Sequence, residues 1–255
     1  MTEPFEPRST HLYLIRHGES TAQAERTIGG MHGDRGLTSL GVTQAESLRD
    51  RLAATGEIVA DLVIASTMPR ARQTAEIIAP AFGVPIVLND DVQEVRPGIV
   101  DGMTEADAEA RFRLSTIQHE PQRPLSPGGE SWEQFVSRVG TELDRIAREH
   151  AGKRIVIVAH AGVVEVSFLC FFSLSSLAPP PVQFWTHNTS ITHWQRSAGV
   201  GPDRRWRLRR YNDTMHLLEV GGKPIDWGLL AARPGVGADR PAVPLPTDVA
   251  PASNA

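Results

Sequence analysis

The chain has 255 residues, 40% hydrophobic and 22% charged, with a formal net charge of −4. It is long enough to bury a substantial core and carries no bulk basic field that would draw it to nucleic acid or an acidic membrane. Its apolar stretches are strand-length, well short of a membrane span, and the single cysteine, Cys170, forbids an internal disulfide.

The opening residues MTEPFEPRST lack the basic start and apolar core of a secretory signal, so a cytoplasmic protein is expected. LYLI at 12–15 reads as a short buried strand. A Gly-rich loop follows, then a helix over 37–56 with Thr38 or Ser39 as cap, Val42, Ala45, Leu48 and Leu52 at helical spacing, and Gly56 as stop. DLVIAS at 61–66 is a second strand, leading into a helix with Pro69 in its first turn and Gly83 at its end. VPIVLND at 84–90 is a third strand. Residues 91–127 are irregular apart from a helix at TEADAEARFR. Ser131 opens a long helix, with Gln134 completing a capping box and Phe135, Val139, Leu143 and Ile146 as its apolar stripe, closed by Gly152. RIVIVAHAG at 154–162 is a β-branched strand, with a helix from about Val163. After the prolines at 179–181, FWTHNTSITHW and RWRLRRY read as two late strands. The alternation predicts an α/β fold, a three-layer mostly parallel sheet with helices on both faces. One domain is expected over 1–232, followed by a Pro/Ala-rich tail over 233–255.

In such a sheet the parallel strands end on one edge, where ligands bind. The first strand ends in Arg16-His17-Gly18, the second leads to Arg70, and the last parallel strand ends in His160-Ala161-Gly162. Cations at the ends of apolar runs are costly unless something there needs them. Guanidinium groups match phosphate oxygens, and helix N-termini add backbone donors. The edge therefore reads as a site for a phosphoryl group. A neutral imidazole attacks phosphorus and holds the group covalently. Arginines beside it keep it neutral and stabilise charge during transfer. A leaving alkoxide also needs a proton, and Glu94 is the best-placed carboxyl, with Asp90, Asp91 and Asp101 as rivals.

These segments resemble the histidine phosphatase superfamily in its phosphoglycerate mutase-like branch. LIRHGES resembles the nucleophile motif, LTSLGVTQAESL the first helix and STMPRARQTAEI the second-arginine segment. QEVRPGIVDGMT resembles the acid loop, PGGESWEQFVSRV and IVIVAHAGVV the long helix and second-histidine strand, and YNDTMHL the closing strand. The order holds over roughly 11–218. The resemblance implies that His17 becomes phosphohistidine, that Arg16, Arg70 and His160 hold the phosphoryl group, and that Glu94 donates and reclaims the proton. Gln23 stands where the family often has Asn, Ala161 where Ser-His-Gly would place Gly, and Val100-Asp101 where an aromatic-acidic pair is usual. Gln23 and Ala161 are carried over as substrate-binding positions, Ala161 through its backbone amide.

The reading is therefore a metal-independent phosphomonoesterase acting on a small phosphorylated molecule. A phosphoglycerate mutase and a non-catalytic phosphate-binding protein are the alternatives. No cofactor is expected, and no metal, because there is no His-Glu-x-x-His and no cysteine pair. DRRWRLRRY is expected to be a half-buried strand, with Trp206 and Leu208 facing in and arginines facing solvent, and not a nucleic-acid surface. His187 and Asn188 fit the site rim; Phe168, Phe171, Phe172 and Trp185 are apolar candidates with core packing as their default role.

Overall fold

A computed structural model describes residues 9–114, 119–177, 182–197 and 205–218; the expected tail over 233–255 lies outside them. Six strands form one sheet in the order β3-β2-β4-β1-β5-β6. They are β1 (Thr10–Arg16), β2 (Leu62–Ser66), β3 (Ile86–Asn89), β4 (Arg154–Ala159), β5 (Ile191–Arg196) and β6 (Trp206–Asp213). β1, β2, β3 and β4 run parallel; β5 and β6 are antiparallel additions.

The central strands read as continuous apolar runs because helices cover both faces. Leu12 and Leu14 of β1, with Ile155 and Ile157 of β4, point to one core with Phe135, Val139, Leu143 and Ile146 of α5 (Trp132–Glu149) and Val163 and Phe168 of α6 (Ala161–Phe171). Tyr13 and Ile15, with Val156 and Val158, point the other way, onto Leu48 and Leu52 of α2 (Ser39–Thr55) and Ala75 and Ile78 of α3 (Pro69–Ile78). Each fully buried Leu or Ile contributes about 1.5–3 kcal/mol, so the strand ends sit on a stiff platform.

The helix ends follow local chemistry. Thr38 caps α2 by accepting from the Gly41 amide, and Gly56 ends it in the left-handed region at φ 59°. Ser131 and Gln134 form the expected capping box. Thr104 caps α4 (Glu105–Phe112).

Some expectations need correction. A short helix, α1 (Thr21–Glu25), follows the first strand and was not anticipated; five residues are too few to show a period. α5 stops at His150, before Gly152, which turns the chain at φ 80°. α6 begins at Ala161 rather than Val163, because His160 is itself the extended N-cap residue. Residues 184–190 are not strand: Thr189 at φ 56° breaks the extension, and β5 starts at Ile191. In β6, Trp206 packs on Phe171 as expected, but Leu208 is exposed, since β6 is an edge strand.

Candidate active site

Register brings the site together. Arg16 lies opposite Ala159 across the β1–β4 ladder, so His17 and His160 step off neighbouring strands side by side. Their ring centroids are 5.2 Å apart. Ser66, the last residue of β2, is hydrogen-bonded to His160 Nε2 at 2.8 Å. Arg70 stands in the first turn of α3 and reaches back to the same point.

The hydrogen bonds assign the His17 tautomer. Arg70 Nε, which only donates, gives its proton to His17 Nε2 at 3.0 Å. Nε2 is therefore an unprotonated acceptor, and the ring proton sits on Nδ1, donated to the Gly18 carbonyl at 2.6 Å. Burial, then Arg70 and Arg16, hold the imidazole well below its usual 6.5. Sequence reasoning assigned this neutrality to the arginines, but burial is the larger cause. His160, fully buried, is likewise held low by burial, with Arg70 next.

Arg70 is fixed by a partner absent from the sequence reading. Asp34 Oδ2 accepts from Arg70 Nη1 at 2.8 Å and from its backbone amide at 3.2 Å. The carbonyl of Gly29 takes a further Nη1 bond at 2.8 Å. Arg16 Nη1 donates to the Thr186 carbonyl. Thr74 Oγ1 accepts from the Gly18 amide at 3.0 Å, and Asn188 Nδ2 donates to the His17 carbonyl at 3.0 Å. Ser66, as the polar end of an apolar strand, was a usable signal. Asp34, Thr74 and Thr186 show no pattern in sequence.

Glu94 is placed beside the second histidine. Its Oε2 accepts from the Gly162 amide in the first turn of α6 at 3.0 Å, and Oε1 from the Val95 amide at 3.1 Å. A Cβ at residue 162 would overlap Glu94 Oε1 and the Phe135 ring, so only glycine admits the carboxylate here. The rival acids have other work. Asp101 accepts from the amides of Gly30, Gly33 and His32, latching two loops together. Asp90 is held by Gln93 at 3.1 Å and Asp91 is exposed.

Gln23 lies on the exposed face of α1 and forms a reciprocal amide pair with Asn188, at 3.1 and 3.2 Å. Its side chain meets Asn188, which donates to the His17 carbonyl, and its backbone amide donates to Ser20 Oγ at 3.2 Å. Ala161 is the first residue of α6 and half-buried. Of the apolar candidates, Phe168 is core, Phe171 stacks on Trp206, and Phe172 and Trp185 are exposed. Among the described residues no cluster of three or more His, Cys, Asp or Glu is arranged to hold a metal ion, and no helix is long and apolar enough to cross a membrane.

The two depressed histidines make a stability prediction. A histidine whose folded pKa lies below the unfolded value resists protonation in the fold, so stability is lost as pH falls below about 6.5. His17 and His160 act in this direction, joined by His193 and His216, each at about 4. The carboxylates held lowest, Asp61 and Asp213 at about 2, lose their contribution only below the usual 3.8. The melting temperature should fall steadily from pH 7 to 5, and His160→Gln should flatten that slope. A melting temperature unchanged across this range would contradict the assignment.

A doubly wound sheet that brings a neutral imidazole, two guanidinium groups and a helix N-terminus to one edge defines an enzyme of phosphoryl chemistry. The model of the histidine phosphatase superfamily (branch 1) matches residues 12–214, and the chain belongs to that family. It is 29% identical over 222 residues to an Arabidopsis thaliana metal-independent phosphoserine phosphatase, covering 85% of this chain and 87% of the relative. It is 33% identical over 218 residues to phosphoglycerate mutase-like protein 4 of the same plant, covering 82% and 88%. Among solved structures, a histidine-to-alanine variant of Entamoeba histolytica phosphoserine phosphatase in complex with phosphoserine aligns with a TM-score of 0.64 at 25% identity, over 82% of this chain and all of that one. A mycobacterial glucosyl-3-phosphoglycerate phosphatase aligns at 0.66 and 23%, over 80% and 99%, and supports the fold.

Proposed function

We propose that this chain hydrolyses small phosphate monoesters through a phosphohistidine on His17, without a metal. The observation that carries this reading is the Arg70–His17–Gly18 chain of hydrogen bonds, which points the Nε2 lone pair toward the guanidinium that would grip a phosphoryl group.

Substrate oxygens draw the Arg70 guanidinium off Nε2. The freed lone pair attacks phosphorus, an N–P bond forms, and the ester P–O bond breaks. Glu94 gives its proton to the departing alkoxide. The Gly18 carbonyl, accepting from Nδ1–H, stabilises the positive charge that the ring acquires. Arg16 and Arg70 face the equatorial oxygens, where charge collects in transfer. Among the described residues, His160 Nδ1 is buried without a hydrogen-bond partner. With the Ser66 hydroxyl donating to Nε2, the Nδ1–H serves a phosphoryl oxygen. Water then attacks phosphorus while Glu94 takes its proton. The N–P bond breaks, and inorganic phosphate leaves a neutral imidazole.

Hydrolysis is favoured over mutase action by the acid loop. A mutase must shield its phosphoenzyme from water and hold a doubly anionic intermediate while it reorients. Between 95 and 113 the bases are Arg96, Arg111 and Arg113, opposed by Glu105, Asp107 and Glu109. Arg96 lies near Glu130 and Asp91, and Arg113 pairs with Glu120. Supplied with 3-phosphoglycerate and catalytic 2,3-bisphosphoglycerate in the presence of a chelator, the enzyme should release phosphate faster than it forms 2-phosphoglycerate. The opposite order would make it a mutase. Relatives named as phosphoserine phosphatases make phosphoserine the first ester to assay.

A further inference from the structure

Glu94 sits in a stretch, 93–97, with no regular structure of its own. A loop carboxyl that must meet a leaving oxygen needs external support, since a misplacement of about 1 Å can cost on the order of 10²-fold. One side chain of α5 supplies it. Arg138 Nη1 donates to the carbonyls of Asp91 at 2.9 Å and Gln93 at 3.2 Å, and Nη2 donates to the carbonyl of Glu94 itself at 3.3 Å. The guanidinium is in turn held in a fork by Glu130, Nε to Oε1 and Nη2 to Oε2, both at 2.7 Å. Glu130 Oε2 also accepts from the Arg96 amide at 2.9 Å. The acid loop is thus gripped at residues 91, 93 and 94 by the arginine and at 96 by its carboxylate partner.

Both side chains are nearly buried, at 11% and 13% exposure, so the grip is not the weak, screened kind found at a surface. The guanidinium lies over the Phe135 ring, 5.4 Å from its centroid. That same ring faces Gly162, whose amide binds Glu94. Backbone grip and carboxylate acceptor therefore share one packing unit. Only a planar fork with five donors spans three carbonyls and a carboxylate together; an ammonium is a point charge on a flexible stem.

We propose that Arg138, locked by Glu130, is the positioning residue that holds the Glu94 carboxyl at the leaving-group oxygen. This rests on Glu94 being the proton donor. Arg138 bonds the acid loop and Glu130; its charge also lowers His160, as the least of the causes there, and Arg138→Lys and Glu130→Gln both keep that charge, so what they lose acts through the acid.

The test is a double-mutant cycle read on two esters, glycerol phosphate, whose alkoxide needs a proton, and 4-nitrophenyl phosphate, whose phenolate scarcely does. Glu94→Gln should lower kcat on the alkyl ester by about 10²-fold or more and affect the nitrophenyl ester much less. Arg138→Lys and Glu130→Gln should reproduce that selectivity in weaker form, about tenfold against less than threefold, with KM for both esters little changed. In the Glu94→Gln background either change should cost almost nothing further on the alkyl ester. Equal losses on both esters, or losses that multiply in the double variants, would overturn the clamp while leaving the acid in place. If Glu94→Gln itself shows no selectivity, the acid assignment falls and the clamp with it. Should Arg138→Lys fail to fold, Glu130→Gln, which keeps the guanidinium and its carbonyl bonds, decides the matter in the same assay.

Discussion

His17→Ala is expected to abolish ester turnover, by at least about 10⁴-fold, and to leave the fold standing. The loss is large because the attacking nitrogen is gone, and no nearby group replaces it. His160 is buried deeper, with Nε2 already committed to Ser66. The fold survives because the His17 ring, bonded to Gly18 and Arg70, stands past the end of β1 and is not one of the residues of the two apolar cores. Its backbone amide still donates to the Ala159 carbonyl, and its carbonyl still accepts from Asn188. Removing the ring strands Arg70 Nε, at a cost of about 1–3 kcal/mol, but it also removes a buried imidazole that opposes folding in acid. The variant should therefore lose part of the melting-temperature decline below pH 6.5. Alkaline quench of the wild type with radiolabelled substrate should trap a base-stable, acid-labile phosphoenzyme, which the variant should lack. Turnover at the wild-type rate by His17→Ala would sink the phosphohistidine mechanism.

His17, Arg70 and His160 were legible because each follows an apolar run or opens a helix, and a parallel sheet sends such ends to one edge. The strand pairing that makes them neighbours, Arg16 opposite Ala159, is a tertiary fact, but a parallel sheet with helices on both faces buries the apolar strands β1, β2 and β4 and leaves β3 at the edge with Val87 and Leu88 exposed. Glu94 was the best placed of four acids by its position after the third strand, and the resemblance singled it out. Composition cannot distinguish a carboxyl that faces Gly162 from one, like Asp101, that latches the amides of Gly30, His32 and Gly33. That distinction depends on which loop backbone lies within 3 Å, and loops carry no period.

Asp34 shows the same limit from the other side. In a stretch as rich in glycine as TIGGMHGDRG, an aspartate reads as turn chemistry. It does close that turn, through Oδ1 to the Gly36 amide, but its Oδ2 is also the fully buried partner of Arg70, visible only once α3 is laid beside the loop. The edge strand β6 misled for a related reason. Its alternation was read as one face in and one out, yet a strand at the sheet margin leaves Leu208 uncovered. Gln23, carried over from the family position as a substrate contact, is paired with Asn188, a partner 165 residues away that spacing does not show.

Arg70→Leu is expected to cost both activity and stability, and the two losses should separate. Activity should fall by on the order of 10³-fold, because the guanidinium that meets the transferring oxygens is gone. Stability should fall because Asp34, with no side-chain exposure, keeps its carboxylate but loses its cationic partner. Breaking a buried ion pair by removing one member typically costs about 3–5 kcal/mol, a large share of the roughly 5–15 kcal/mol that holds a domain folded. For a chain of this size that is a drop of about 10 °C in Tm. Adding Asp34→Asn to Arg70→Leu removes the stranded charge while keeping an amide oxygen for the Gly36 N–H, now bound at 2.8 Å by Asp34 Oδ1. The double variant should therefore recover much of the melting temperature and none of the turnover. Asp34→Asn alone should keep the fold and lose activity moderately, since Arg70 then retains the Gly29 carbonyl but only a neutral partner beside it. Thermal melts and initial rates on 4-nitrophenyl phosphate measure both quantities on the same four proteins. A double variant no more stable than Arg70→Leu would show that the stranded Asp34 charge is not the cause, and that the destabilisation comes from the space the guanidinium leaves beside the Met68 sulfur.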